Sequence, residues 1–341
     1  MTLQQILSWS LRGSGLILLG MLLLRWKQKI PAKGMLLMWQ AAILRLCLPG
    51  QISLPAPWME ASVSRNTAGG GQMWTWIWLW GVFFAGMVTV FRWKQARSLL
   101  KKAWPFPDAF CHQWIAGETK RKVKVMLCPG IRTPLAAGLL RPYILLPQDM
   151  DRQDKERLRF VITHEMVHIR RWDPWWKGLA LLCRCLHWFN PLVWLLPAFL
   201  EGAMERSCDE ACLERLGSGQ KKGYALALLS LAEEQSAFWE GACGFGTSGL
   251  EERIGLIMNY KKISRVTVGL CALGVCAAAG VSAVGLVPEE SNCYTMKMQD
   301  DQVVFEPASS GQTGENLYLM EKTEEGFLLH MAGKKRFLWP P

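Results

Sequence analysis

Histidine is scarce in this chain, five in 341 residues, so a patterned pair of histidines carries more weight than it would in a histidine-rich sequence. The eleven cysteines contain no C-x-x-C pair. That argues against a zinc knuckle, and their scatter argues against a disulfide framework. Cys183 and Cys185, and Cys208 and Cys212, read as small apolar packing residues. Acidic residues are few, 28 against 39 Lys plus Arg, giving a net charge of +11. Yet there is no long basic run of the kind that tracks nucleic acid, so direct nucleic-acid binding is not expected. A cleavable leader is not expected either. Arg12 interrupts the first apolar run, and no small-residue cleavage site follows it.

What is plentiful is apolar. Half of the residues are hydrophobic and 18 are Trp, too many for an ordinary soluble domain. Four stretches approach the length a bilayer needs: residues 3–24, 34–48, 73–91 and 266–287. Basic clusters flank them on one side. Arg25, Lys27, Lys29 and Lys33 lie between the first two, Arg92, Lys94, Arg97, Lys101 and Lys102 after the third, and Lys261, Lys262 and Arg265 before the fourth. The opposite ends are poor in Lys and Arg. By the positive-inside rule the N-terminus is outside, 92–265 is cytoplasmic and the tail is outside. Arg12 and Arg45, near span ends, are expected to snorkel toward the interface.

The expected fold is therefore mainly α and integral to a membrane, with four transmembrane helices. Residues 1–91 hold three of them with short loops, 92–265 form a cytoplasmic domain, 266–287 the fourth span, and 288–341 an outside tail.

Within the cytoplasmic part, His164-Glu165-Met166-Val167-His168 fits H-E-x-x-H. Positions i and i+4 share a helix face, so two imidazoles can meet one Zn²⁺. Asp173-Pro174 marks the end of that helix. A catalytic zinc site usually has three protein ligands and an open position. In the helical stretch 201–217, Glu205 and Asp209 again lie four apart. Glu205 is expected as the third ligand and Asp209 as a carboxylate behind it that orients a ligand histidine. Glu165, whose neighbours hold the metal, is expected to act as catalytic base on the attacking water. The bland alternatives are surface histidines and a solvated acidic helix face.

Thirty-six residues separate His168 from Glu205, and residues 178–200 are very apolar. A single crossing there would leave the ligands on opposite sides of the bilayer. The break at Asn190-Pro191 instead predicts two helices of about twelve residues, ~18 Å each, forming a membrane-dipping or buried hairpin. His187 reads as a packed side chain rather than a group touching a reaction intermediate. Residues 133–147 read as two short strands around a turn. The second either closes a small sheet or offers an edge to an extended substrate.

The combination of "GLLRPYILLP", "THEMVHIRRWDPWWK", "LHWFNPLVWLLP", "ERSCDEACL" and "LEERIGLIMNYKK" before a fourth span resembles the BlaR/MecR-type membrane zinc metallopeptidases of bacterial antibiotic-sensing systems. The resemblance covers roughly residues 1–287. It implies a gluzincin-type α+β peptidase domain between spans three and four. It also implies zinc held by His164, His168 and Glu205, with Glu165 as base, in a bacterial cell membrane. An outside signal would lead to self-cleavage near the fourth span and inactivation of a winged-helix repressor. Expected partners are thus the lipid bilayer, such a repressor as substrate, and a second copy of the chain. The departure is C-terminal: the tail of 54 residues has neither S-x-x-K nor K-T-G. Ser98-Leu-Leu-Lys101 matches S-x-x-K but falls on the cytoplasmic side and reads as helix surface. Residues 241–265 are the candidate self-cleavage region. A constitutive housekeeping protease and a non-catalytic receptor scaffold are the alternative functions.

Overall fold

The computed structural model describes residues 3–49, 52–56, 71–119, 121–138, 140–236, 247–261, 264–288, 293–299, 302–307, 317–323, 326–331 and 336–339. In chain order its helices are α1 (Leu3–Leu23), α2 (Ala32–Cys47), α3 (Gly71–Leu100), α4 (Ala109–Glu118), α5 (Lys155–Arg170), α6 (Asp173–Leu186), α7 (Pro191–Leu216), α8 (Lys221–Ser236), α9 (Thr247–Met258) and α10 (Arg265–Ala283). The strands are β1 (Ile52–Ala56), β2 (Trp104–Pro105), β3 (Lys124–Cys128), β4 (Leu135–Ala137), β5 (Tyr143–Pro147), β6 (Val284–Pro288), β7 (Cys293–Gln299), β8 (Gln302–Pro307), β9 (Leu317–Thr323), β10 (Gly326–Met331) and β11 (Arg336–Trp339). The chain forms two compact units, residues 1–50 with 68–283, and residues 51–67 with 284–341.

Among the described residues of the first unit, three helical segments are long and apolar enough to cross a membrane: Gln5–Trp26, Met73–Ser98 and Val266–Ala283. The second and third of these have no fully buried residue along their apolar stretch. A helix apolar on every side that leaves most of its surface uncovered by protein is one suited to lipid. The expected second span differs. Its helix, α2, has 16 residues, about 24 Å, short of the ~30 Å hydrocarbon core. Trp39, Ile43 and Leu46 of α2 are fully buried with Ile17 of α1, Ala180 of α6 and Val193 of α7. Arg45 is buried as well. Its guanidinium donates to the carbonyls of Leu48 and Ser282, fastening the end of α2 to the end of α10 instead of reaching water.

Residues 178–200 do turn back on themselves, with the break at 187–190, but the second arm is not a separate short helix. It is the start of the 26-residue α7. Asn190 caps it by accepting from the backbone N–H of Leu192, and Pro191 occupies the first turn, where no N–H is needed. The tip of this hairpin packs into the membrane helices. Asn190 donates to Ser10 and Ser14 of α1 at 2.8 and 2.7 Å, and Trp78 of α3 donates to the carbonyl of Leu186 at 2.9 Å. His187 is fully buried, edge-on to Trp9, with Nε2 3.0 Å from the Leu46 carbonyl. It sits at the far end of the 14-residue α6 from Asp173, about 21 Å along the helix, in keeping with a packing role. Gly81 permits the approach of α3, since a Cβ there would lie 2.1 Å from the Trp188 ring.

The rest of the unit carries a four-stranded sheet in the order β2-β3-β5-β4. β3 and β5 are parallel, while β2 and β4 run antiparallel to their neighbours. β4 and β5 are the two strands expected in 133–147, and β4 is an edge strand. Helix α5 lies between two cores. Leu158, Val161, Ile162, Met166 and Ile169 face the sheet and α4, whereas Phe160 and Val167 face α7, α8 and α9. Asp154 starts α5 by accepting from the N–H groups of Glu156 and Arg157. Ser98 lies on the surface of α3 and donates to the Gln95 carbonyl.

In the second unit β1 pairs in parallel with β6, and β11-β10-β9-β7-β8 form an antiparallel sheet. The fourth expected span thus stops at Ala283, and residues 284–288 enter a strand. The β-branched Val284 and Val287 and the intervening Gly285 favour that exchange. Of the candidate self-cleavage region 241–265, residues 241–246 and 262–263 lie outside the described residues, and 247–258 are helical as α9.

Candidate metal centre

The face of α5 that looks away from the sheet carries His164 and His168, both about 8% exposed. Being one turn apart, their imidazoles converge, with Nε2 atoms 3.2 Å apart. Helix α7 crosses here and brings in Glu205. Its Oε2 lies 3.4 Å from His164 Nε2 and its Oε1 3.5 Å from His168 Nε2. Glu165, 7% exposed, lines the same cavity of about 740 Å³. Asp209 is one turn further along α7 and faces the same way.

The ring nitrogens on the other side of each imidazole are spoken for. His168 Nδ1 meets Asp173 Oδ2 at 2.6 Å. His164 Nδ1 lies 2.8 Å from the hydroxyl of Tyr224 on α8, and that hydroxyl donates to Asp209 Oδ1 at 2.8 Å. Each pairing assigns the proton to Nδ1, because Asp173 can only accept and the Tyr224 hydrogen is already committed to Asp209. Both imidazoles therefore turn Nε2 toward each other and toward a carboxylate. Such a cluster lacks a positive charge at its centre.

The protonation behaviour shows the same demand for positive charge, met without a metal by a proton on His164. Burial by itself would lower the His164 pKa, but hydrogen bonds to Cys212 and Glu205 outweigh it and raise the value well above 6.5. Burial would raise the Glu205 carboxyl. The hydrogen bond and charge of His164, then His168 and Arg253, hold it instead well below the usual carboxylate range.

The spacings suit a zinc ion. Zn–N and Zn–O bonds of ~2.0–2.1 Å in a tetrahedron put neighbouring ligand atoms about 3.3–3.4 Å apart. The three observed separations, 3.2, 3.4 and 3.5 Å, bracket that value, the two to Glu205 running from different oxygens of its carboxylate, one of which would turn in to complete the face. His164, His168 and Cys208 also have donor atoms within 4.8 Å of one another. Cys208 is the poorer third partner. Its Sγ sits behind His164, 3.5 Å from Nδ1, and donates to the His164 carbonyl at 3.3 Å. A metal there would compete with Tyr224 for the same ring nitrogen.

The sequence predicts Asp209 as a carboxylate that orients a ligand histidine. The structure interposes Tyr224, since Asp209 Oδ1 is 3.6 Å from His164 Nδ1. It also supplies two residues that reasoning left out. Asp173, read only as a helix boundary, is the carboxylate behind His168. Arg253 of α9 spans both acids of α7, with Nε and Nη2 each 2.9 Å from an Asp209 oxygen and Nη1 3.1 Å from Glu205 Oε2. The local backbone explains Asp173. Trp172, between α5 and α6, is left-handed at φ 60°, which turns the chain sharply enough to bring the next residue back onto His168. Such strained positions cluster at functional sites. The Arg121 guanidinium, 4.1 Å from the Trp172 ring centre, helps to hold it.

Residues 61–257 match the family described as BlaR1 peptidase M56, a stretch that contains α5, α7 and every side chain of the cluster. The chain is similar to the regulatory protein BlaR1 of Bacillus licheniformis, 27% identical over 223 residues, 64% of this chain and 36% of that protein. It is also similar to the methicillin resistance mecR1 protein of Staphylococcus aureus, 22% identical over 152 residues, 43% of this chain and 26% of that protein. The mecR1 protein of Staphylococcus epidermidis matches to the same extent. The matched part of the chain thus spans little more than a third of the length of these relatives at most. The family match, residues 61–257, takes in α3 and the histidine cluster and reaches the last turn of α9, over more than half of the chain, and this protein therefore belongs to the BlaR1 peptidase M56 family.

Proposed function

We propose that the chain is a membrane-embedded zinc endopeptidase with a gluzincin-type α+β domain, and that it turns a signal received outside into proteolysis on the cytoplasmic side. His164, His168 and Glu205 hold the zinc, Glu165 is the catalytic base, and Asp209 steadies His164 through Tyr224. One observation carries the reading. Two imidazole Nε2 atoms and the two oxygens of one carboxylate converge within 3.5 Å of their neighbours beside Glu165 in an open cavity.

A bound zinc ion would polarise the scissile carbonyl and lower the pKa of water toward neutrality. Glu165 takes the proton of the attacking water and hands it to the departing amine. Asp173 and Tyr224 keep both histidines in the tautomer whose Nε2 is free. Ala136 of edge strand β4 also lines the cavity, so an extended peptide can add to β4 as a further strand and lie across the site.

The basic clusters that flank the apolar segments support an outside N-terminus, a cytoplasmic peptidase domain and an outside tail. α2 serves as a short fourth span, shielded by α1, α6, α7 and α10. Names of the relatives, a regulatory protein and a methicillin resistance protein, favour a regulatory substrate, either the chain itself or a winged-helix repressor. The test is Glu165→Gln in the full chain purified in detergent. Zinc content stays at one per chain, and cleavage of the chain or of a reporter peptide falls at least ~10²-fold. Wild-type cleavage rates in the variant would remove Glu165 from its role, and a wild-type chain without zinc would remove the reading altogether.

A further inference from the structure

Helix α9 carries two neighbouring charged residues that point to different parts of the protein. Arg253 closes a ring of contacts that runs His164, Tyr224, Asp209, Arg253, Glu205 and back to His164. In this ring α5 and α7 hold the expected ligands and α8 supplies the tyrosine, while α9 contributes the guanidinium alone. Its planar fork holds Asp209 with two nitrogens and still reaches Glu205 with the third, a geometry that lysine does not reproduce. The clamp fixes the carboxylate plane of Glu205, whose two oxygens face different imidazoles.

The preceding residue, Glu252, faces the turn between α1 and α2, where its Oε1 lies 2.6 Å from Lys27 Nζ. That turn is tied down at further points. The Lys27 carbonyl accepts from Arg206 at 2.6 Å, the Ala32 N–H donates to Glu210 at 3.3 Å, and Lys33 pairs with Glu214 at 3.1 Å. On α7 the residues that hold the turn, 206, 210 and 214, form one stripe, and 205 and 209 form the stripe beside it. α9 spans the same two regions with adjacent side chains.

We propose that Arg253 is a positioning residue for Glu205, and that the Glu252–Lys27 pair makes α9 the link through which movement of the first two membrane helices reaches the metal site. The inference rests on the zinc reading above and adds a route of regulation to it. An outward or rotational shift of α1 and α2 draws Lys27 away from Glu252. α9, still packed through Ile257 against α7 and α8, then loses one of its ties, and the hold of Arg253 on Glu205 loosens.

The experiment uses the full chain in detergent and measures zinc affinity by competition with a chromophoric chelator, together with hydrogen exchange of the α9 amides. Arg253→Gln weakens zinc binding about 10–100-fold, and Arg253→Lys falls between it and wild type. Glu252→Gln and Lys27→Glu, at a half-exposed pair, weaken zinc binding about two- to fivefold and speed exchange in α9. The double reversal Lys27→Glu with Glu252→Lys restores both. If Arg253→Gln fails to fold, Arg253→Lys and the Lys27–Glu252 series decide the matter. Zinc affinity unchanged or increased in the Arg253 variants overturns the positioning role. A double reversal that fails to restore affinity and exchange overturns the link to the turn. A wild-type chain that holds no zinc overturns the zinc reading itself, which separates that failure from this one.

Discussion

Replacing Asp173 with asparagine probes the half of the site that rests on a single contact. Its Oδ2 lies 2.6 Å from His168 Nδ1, and the side chain is 1% exposed. A buried hydrogen bond between an ionised carboxylate and an imidazole contributes about 1.5–3 kcal/mol, against about 1 kcal/mol for a neutral pair. Exchanging the charge for an amide of equal size therefore removes about 1–2 kcal/mol of support for the Nδ1–H tautomer. An asparagine that turns its NH₂ toward Nδ1 does worse, because His168 must then carry its proton on Nε2, the atom that faces Glu205. At 1.4 kcal/mol per factor of ten, zinc affinity should fall about 5–30-fold, and further if the wrong tautomer dominates. Chelator competition on the detergent-purified chain reads the affinity, and circular dichroism of the metal-free form checks that the fold persists. Affinity within twofold of wild type in a folded variant would refute the assignment of His168 Nε2 as the free nitrogen. Glu165→Gln is the control, since it touches the chemistry and not the ligands.

Tyr224→Phe removes the hydroxyl between His164 and Asp209 and should lower zinc affinity about tenfold, measured in the same titration; an unchanged value would show that Asp209 reaches His164 without it. Zinc retention should depend on pH with a fixed sign. Protonation of His164 is raised well above 6.5 in the metal-free site, so affinity falls with falling pH from a point above 6.5. Glu205, held low, stays ionised and does not contribute to that loss. Equilibrium dialysis across pH 5–9 checks this, and a decline that begins only near pH 4 would contradict it. Gly81→Val should destabilise the helix bundle by about 1–3 kcal/mol, the usual cost of overpacking, because its Cβ meets the Trp188 ring. The thermal midpoint of the solubilised chain reads the effect, and an unshifted midpoint would place α3 elsewhere.

Local rules made part of this protein legible. The spacing of His164 and His168, and of Glu205 and Asp209, states which side chains share a helix face, because a turn of 3.6 residues repeats wherever a helix forms. The length of the uncharged runs states which helices suit a membrane. Asn190-Pro191 states where the hairpin between the two ligand-bearing segments must turn. Other features have no local signature. α2 reads as a span by hydropathy, yet it is 16 residues long and mostly buried by protein, and hydropathy does not distinguish lipid from protein interior. Asp173 looks like a helix boundary until the left-handed Trp172 folds it back. Tyr224 and Arg253 sit 60 and 89 positions beyond His164, where no periodicity connects them to it.

From sequence alone came the membrane-type helices, the histidine–glutamate helix and the acidic pair that follows it, because each depends on neighbours within a turn or on the composition of a run. Tertiary structure alone decided that Glu205 meets both imidazoles, that Asp173 and Tyr224 set their tautomers, and that Arg253 ties α9 to the same carboxylates. Those contacts join five helices separated by loops, and hydrogen-bond geometry between such distant segments exists only once the apolar cores around α5 have fixed their crossing.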